Sequence, residues 1–206
     1  MRIFTKLLPI ILSLCLGQKI LIPMDFVQTD HLKAYGIAFW TLKQGINVEW
    51  LLNFRGGSFL VDNYQTIILE CKLRGVSYEM IDAATLGLIY GKIDQHNMDV
   101  VLLEKKPKIA IYAPPSNQPW DDAVTLALAY AEIDYDVIFD DEIMKGKLSK
   151  FDWIHLHHED FTGQYGKFYK NYHNSGWYRQ QKAEFEATAI KYGYPSVSEF
   201  KKTIAK

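Results

Sequence analysis

The sequence is poor in cysteine, has no basic patch, and has no apolar run long enough to cross a bilayer. Its 206 residues are 49% hydrophobic and 23% charged, and they contain no repeat or low-complexity segment. These absences exclude a disulfide-stapled mini-protein, a nucleic-acid-binding protein with a basic footprint, and a fibrous or disordered chain. What remains is a globular chain with enough apolar residues for a sizeable core.

The first 17 residues have the composition of a secretory signal peptide. Two basic residues precede an apolar run at positions 7–16, and small Gly17 follows it. We therefore expect residues 1–17 to be removed and the protein to be exported, either periplasmic or secreted. The alternative is a lipoprotein anchored through Cys15, which is weaker because Leu14 stands where a small residue is normally needed.

Removal of this segment changes both the charge and the cysteine count. Basic residues would fall from 23 to 21 against 24 acidic ones, so the net charge would move from −1 to −3. Cys71 would be the only cysteine left, which excludes an intrachain disulfide. It lies in the apolar and polar pattern of a predicted helix at 64–74, so we expect a small buried hydrophobe rather than a reactive thiol.

Two series of alternating strands and helices follow, and the first covers residues 18–106. The apolar run Lys19–Asp25 predicts a strand, and Asp30 caps a helix that ends at Gly45. Strands separated by helices predict right-handed βαβ units in a parallel sheet, with residues 53–58 as a loop. The other predicted elements of this series are strands at 47–52, 77–81 and 99–103 and helices at 64–74 and 83–94.

The second series covers residues 107–164, and a helical segment covers residues 165–206. The fold class predicted for the whole chain is α/β, with a three-layer, mostly parallel sheet of the flavodoxin-like kind. The final helix has a start signal but no stop signal, so we expect the chain to be the amino-terminal part of a longer protein. The predicted elements are strands at 108–113, 135–139 and 151–157 and helices at 121–132, 141–148, 177–192 and from 196.

The densest cluster of titratable side chains follows the strand predicted at 151–157. His155 and His157 are two residues apart on that strand, so they face the same side. Ligands of open α/β sheets bind at the carboxyl ends of strands, which is where this cluster lies. The candidate catalytic residues are His155, His157, His158 and Glu159, and Asp160 and Gln164 are candidate ligand-binding residues.

Three interpretations of this histidine cluster stay open. The side chains can lock the loop by hydrogen bonds, contact a non-metal ligand or act in catalysis, or bind a metal. The metal interpretation is the weakest, because the cluster lacks the His-x-His-x-Asp-His order of metallo-β-lactamases. We expect neither a metal nor another cofactor.

Three further residues are candidates for ligand binding. Trp120 lies in the proline-rich loop 113–122, where it forms either a wall of the same cleft or ordinary packing. Arg55 precedes two glycines after the second strand, which suits a carboxylate or phosphate but also a simple turn. Asp25 ends the first strand and can face the same crevice.

Three long segments of the chain, residues 19–59, 99–143 and 148–169, together resemble an exported protein family of Bacteroidetes-type bacteria that is commonly labelled asparagine synthetase B. The resemblance covers nearly all of residues 18–206, and the histidine loop is its most specific part. It implies a protein about twice this length, whose later part looks like a class I glutamine amidotransferase or trehalose-utilisation-type α/β domain. Residues 107–164 are similar to the opening of that fold.

The motifs of a glutamine-hydrolysing asparagine synthetase are not in these residues. Such an enzyme uses a cysteine exposed by removal of the first Met, but position 2 is Arg. It also needs a Ser-Gly-Gly-x-Asp-Ser loop for ATP, and residues 55–58 do not match it. Cys71 has no strand-to-helix elbow, so a class I amidotransferase would need its nucleophile beyond Lys206.

The sequence therefore leads to an exported α/β protein with a small polar ligand, a sugar or an amide, at the carboxyl ends of its strands. One alternative is a non-enzymatic binding or scaffold module. The other is an amidotransferase-like hydrolase completed by residues beyond this chain. We expect no nucleic-acid partner and no transmembrane segment after signal removal, whereas reaction and oligomeric state do not follow from the sequence.

Overall fold

The computed structural model describes residues 18–114, 122–156 and 170–204, and the chain is an α/β protein as predicted. It divides into two compact units. The first contains the described residues up to Lys106 together with Tyr130–Ile133, and the second contains the described residues of Pro107–Ala129 and Asp134–Lys206. None of the helices in these ranges is both long enough and apolar enough to cross a membrane.

The first unit is built on a five-stranded sheet in the order β4-β1-β3-β2-β5. Each neighbouring pair in this sheet is antiparallel. Its strands are β1 (Lys19–Ile22), β2 (Val48–Leu52), β3 (Ser58–Asp62), β4 (Glu79–Ile81) and β5 (Asp99–Leu103).

Helices cover both faces of this sheet. Helices α1 (His31–Lys43) and α2 (Gln65–Arg74) pack on one face, where Ile20, Ile22, Ala34, Ile37, Ile67 and Cys71 share a core cluster. Helix α3 (Ala83–Gln95) packs on the other face, with Leu21, Leu51, Leu60, Ile89 and Ile93. As predicted, Asp30 caps α1, since its carboxylate accepts a hydrogen bond from the Lys33 amide at 2.9 Å.

The parallel sheet predicted for the first series is wrong, because residues 58–62 form an additional strand that was not predicted and that begins at the last residue of the predicted loop 53–58. A tight turn joins β2 to β3, so β3 runs back beside β2 and lies between β2 and β1. The extra strand makes each neighbouring pair antiparallel. Strands β1 to β4 with α1 and α2 therefore have the split βαβ arrangement.

The second unit has a three-stranded sheet in the order β7-β6-β8, and both pairs are parallel. Its first strand in the sequence is therefore the central one. The strands are β6 (Ile109–Tyr112), β7 (Asp136–Ile138) and β8 (Trp153–Leu156), and the connecting helices are α4 (Ala123–Tyr130) and α5 (Asp140–Met144), with a 3₁₀ turn at Lys147–Lys150.

Among the described residues of this unit are two further helices, α6 (Gly176–Lys191) and α7 (Val197–Ile204). They pack on one face of the three-stranded sheet. The shared core contains Ala110, Tyr112, Ile138, Ala189, Phe200 and Ile204. Because side chains alternate along a strand, Ile111 and its partners on the neighbouring strands, Val137 and His155, face the opposite side.

Candidate functional site

His155 lies near the carboxyl end of β8 and is paired with a carboxylate. In the parallel register it stands opposite Ile111, so it lies on the face of the sheet away from α6 and α7. Its Nε2 atom is 3.2 Å from Oδ2 of Asp122. The side chains are 21% and 8% exposed respectively, so the imidazole is still reachable while the carboxylate is nearly buried.

Asp122 is itself fixed by the start of α4. Its Oδ1 atom accepts hydrogen bonds from the amides of Val124 at 2.7 Å and Thr125 at 2.9 Å. A carboxylate in this position satisfies exposed helix amides and interacts favourably with the positive end of the helix dipole. The carboxylate that pairs with the imidazole is therefore itself held in place by the first turn of α4.

The hydrogen bond to Asp122 also sets the tautomer of His155. An ionised carboxylate can only accept, so Nε2 carries the proton that it donates. In the neutral ring, Nδ1 is then a hydrogen-bond acceptor.

The Thr125 Oγ1 atom, at the start of the same helix, is buried and makes no hydrogen bond among the described residues.

Most of the histidine cluster cannot be placed beside this pair. The residues of the cluster that lie outside the described residues are His157, His158, Glu159, Asp160 and Gln164, and the same is true of Trp120 in the proline-rich loop. Trp153 precedes His155 on the same face, and their ring centroids are 6.4 Å apart. Within the described ranges, no group of three or more His, Cys, Asp or Glu side chains is arranged to hold a metal ion.

Asp25 and Arg55 come together in the first unit, where the end of β1 meets the turn before β3. The Arg55 Nε atom is 2.7 Å from Asp25 Oδ2, and an Nη atom is 2.8 Å from Oε1 of Glu79. The hydrogen bond from Arg55 holds the pKa of Asp25 below its usual range. Two carboxylates of the chain already pair with Arg55, so a carboxylate or phosphate ligand would compete with them.

The backbone around Arg55 is unusual. Asn53, Arg55, Gly56 and Gly57 have positive φ angles of 63°, 46°, 81° and 89°. A Cβ atom on Gly56 would lie 2.3 Å from the carbonyl oxygen of Met24, so only glycine fits there. Left-handed conformations at non-glycine residues are strained, and Arg55 has one while its guanidinium is hydrogen-bonded to Asp25.

A second polar cluster lies on the other face of the three-stranded sheet. Tyr112, the last residue of β6, donates a hydrogen bond to Asp140, which follows β7. Lys201 of α7 is 3.1 Å from both the Tyr112 hydroxyl and Asp140 Oδ1. Tyr112 and Asp140 are each 1% exposed. This cluster was not predicted from the sequence, because Lys201 is far from Tyr112 along the chain.

An apolar cavity lies between residues of α6 and α7. It has a volume of about 160 Å³ and is lined by Tyr178, Gln181, Lys182, Phe185 and Val197. Phe185 also touches the Lys201 ammonium. The cavity and the polar cluster therefore share one wall.

Cys71 is buried in the first unit, as predicted. Burial, reinforced by the charge of Glu70, raises the pKa of its thiol to about 12. A thiol with this pKa carries almost no thiolate at neutral pH. The burial of Cys71 and the raised pKa of its thiol are those of a small buried side chain.

No family model matches the chain, and no curated protein and no solved structure matches it either.

Proposed function

We propose that the second unit binds a small, neutral, polar ligand at the carboxyl ends of β6 and β8, with His155 as the contacting side chain. The observation that carries the proposal is the hydrogen bond between His155 and Asp122 at this end of the sheet. A pair in which a carboxylate orients an imidazole is typical of sites that contact or activate a ligand.

The strand order supports this location. The chain crosses from β6 to β7 on one side and later to β8 on the other, so the crossovers diverge at β6. Open α/β sheets bind ligands in the crevice at such a switch point, outside the carboxyl ends of the strands. We propose that this sheet is the opening of a doubly wound, mostly parallel, three-layer domain of the flavodoxin-like kind.

The charges near His155 favour a ligand with hydrogen-bond donors over an anion. The first amides of α4, which would attract a phosphate, already donate to Asp122. The Nδ1 atom of neutral His155 accepts a hydrogen bond from a hydroxyl or an amide N–H. A sugar or a carboxamide has such donors without a negative charge at the contacting group.

A hydrolase is the second candidate, because the same pair can act as a general base. Asp122 holds one tautomer of His155, as the acid of an acyl-transfer triad does. Such a hydrolase would also need a nucleophile within reach of His155. Membership of the exported family labelled asparagine synthetase B stays a proposal, and so does export itself.

A binding screen with matched variants tests the proposal. We expect trehalose or L-glutamine, but not inorganic phosphate, to shift the NMR signal of His155. His155→Ala should abolish binding while leaving Tm within about 2 °C of the wild type. His96→Ala changes an exposed histidine of the first unit and should bind as the wild type does.

Two results would count against a ligand site. If His155→Ala unfolds the second unit, the imidazole is a structural lock, as in a scaffold module. If binding persists at full strength in His155→Ala, the ligand contacts other residues.

A further inference from the structure

The polar cluster on the α6 and α7 face of the second unit has the composition of a binding site for an ammonium group. The Lys201 Nζ atom is 4.2 Å from the ring centroid of Phe185 and 4.8 Å from that of Phe139, and it donates a hydrogen bond to the Tyr112 hydroxyl at 3.1 Å. A cation within about 6 Å of an aromatic face is attracted by the ring quadrupole. The rings of Phe139 and Phe185, the Tyr112 hydroxyl and the Asp140 carboxylate therefore form a cage around one ammonium group.

The walls of the cage do not belong to the helix that supplies the ammonium. Tyr112 ends β6, Phe139 and Asp140 follow β7, and Phe185 lies on α6. Their rings support one another, with Tyr112 stacked on Phe139 at 5.1 Å and Phe139 on Phe185 at 6.0 Å. Helix α7 contributes only Lys201 to this arrangement.

Asp140 supplies the negative charge and has unused capacity as an acceptor. Its Oδ1 atom accepts from Tyr112 and from Lys201. Its Oδ2 atom lies 3.0 Å from Lys201 Nζ, yet the geometry of a hydrogen bond is not met there. A buried carboxylate oxygen without a hydrogen bond is costly, so the site favours a small cation that can donate to both oxygens.

We infer that Tyr112, Phe139, Asp140 and Phe185 form a binding site for a primary alkylammonium group, which the chain fills with its own Lys201. The lysine acts as a tethered ligand, and its high effective concentration keeps free amines out of the wild-type protein. Occupancy of the cage fixes the position of α7 on the sheet. This role is separate from His155, which lies on the opposite face.

Chemical rescue tests this inference. Lys201→Ala removes the part of the side chain that n-propylammonium resembles. We expect a fall of several degrees in Tm, and we expect millimolar n-propylammonium chloride to restore more than half of it in a saturable way. Neither 1-propanol, which lacks the charge, nor sodium chloride should restore it.

The matched control is Lys202→Ala, the exposed neighbour on the same helix. Its Tm should not respond to n-propylammonium. In Lys201→Ala with Asp140→Asn, the carboxylate is gone, and rescue should disappear. An equal response of all three proteins, or equal rescue by 1-propanol, would overturn the inference.

If Lys201→Ala does not fold, Lys201→Met keeps the volume of the stem and removes the charge. Asp140 is then buried without its cation, so adding Asp140→Asn should raise Tm relative to Lys201→Met alone. The inference fails if the two substitutions lower Tm additively.

Discussion

Gly56 shows how a single residue fixes the contact between two loops of the first unit. Its φ of 81° favours glycine, and Met24 passes so close that a Cβ atom would lie 2.3 Å from its carbonyl oxygen. The adjacent amide of Met24 donates to Arg55 at 3.1 Å. Both the positive φ angle and the close approach of Met24 therefore favour glycine at position 56.

We expect Gly56→Ala to destabilise the first unit by several kcal/mol, because it adds a backbone clash to the strain of about 1–2 kcal/mol for a left-handed alanine. Gly75→Ala is the matched control. Gly75 has a φ of 69° but no atom within 4 Å of its Cβ position. The variant should therefore lose only the stability that corresponds to the backbone strain of a left-handed alanine. Urea unfolding of both variants measures the difference, and equal losses would show that Met24 moves aside.

Residue types at the strand ends predict Asp25, Arg55 and His155 as candidate site residues. They do not predict the partners of these side chains. Glu79 begins a strand that is distant in sequence from Arg55, and Asp122 is likewise distant in sequence from His155. Side-chain pairs of this kind depend on the tertiary fold, and no local pattern encodes them.

Helix α3 is tied to the five-stranded sheet by a polar contact as well as by its apolar face. Tyr90 of α3 donates a hydrogen bond to Glu49 of β2, and the same carboxylate is 2.6 Å from the Lys19 ammonium of β1. Burial, together with the hydrogen bond to Glu49, raises the pKa of Tyr90 well above its usual 10.0.

This shift predicts a loss of stability in alkali. The folded protein holds the phenol proton more tightly than the unfolded chain does, so the stabilisation is complete below pH 10 and falls as the pH rises beyond it. Tyr90→Phe should cost about 1–2 kcal/mol at neutral pH and should weaken the decline of Tm above about pH 10.

Thermal unfolding at a series of pH values checks this prediction. Tyr35→Phe alters an exposed tyrosine that contacts Phe59 through its ring, so it should keep the pH dependence of the wild type. An unchanged alkaline decline in Tyr90→Phe would assign that decline to other groups.

Among the elements, helices were easier to predict than strand pairing. The start of α1 at Asp30 follows from capping chemistry, and Asp82 caps α3 in the same way by accepting from the Thr85 amide at 2.8 Å. Strand β3 was missed because its apolar residues come directly after a turn that contains two glycines. One missed strand was enough to reverse the expected sheet from parallel to antiparallel.

The whole molecule has separate cores in its two units. The clusters around Ile20 and Leu60 lie in the first unit, and the cluster around Tyr112 lies in the second. No residue belongs to more than one of these clusters of described residues. We therefore expect a core substitution to weaken mainly its own unit.

Leu60→Ala and Ile111→Ala provide a matched pair, since both side chains are at most 1% exposed. Each should cost about 2–5 kcal/mol in its own unit. Native-state hydrogen exchange should show faster amide exchange in the first unit for Leu60→Ala and in the second for Ile111→Ala. Loss of protection in both units of either variant would show that they unfold together.

The tight turn between β2 and β3 also bears on how the first unit folds. It brings Leu51 next to Ser58, whereas the pairing of β1 with β4 joins Lys19 to Ile81 across most of the unit. Closing a short loop loses less chain entropy than closing a long one, and local contacts form faster. We therefore expect the hairpin of β2 and β3 to form before the other strands are in place. Its left-handed turn would then also set the register with which β1 and β5 pair.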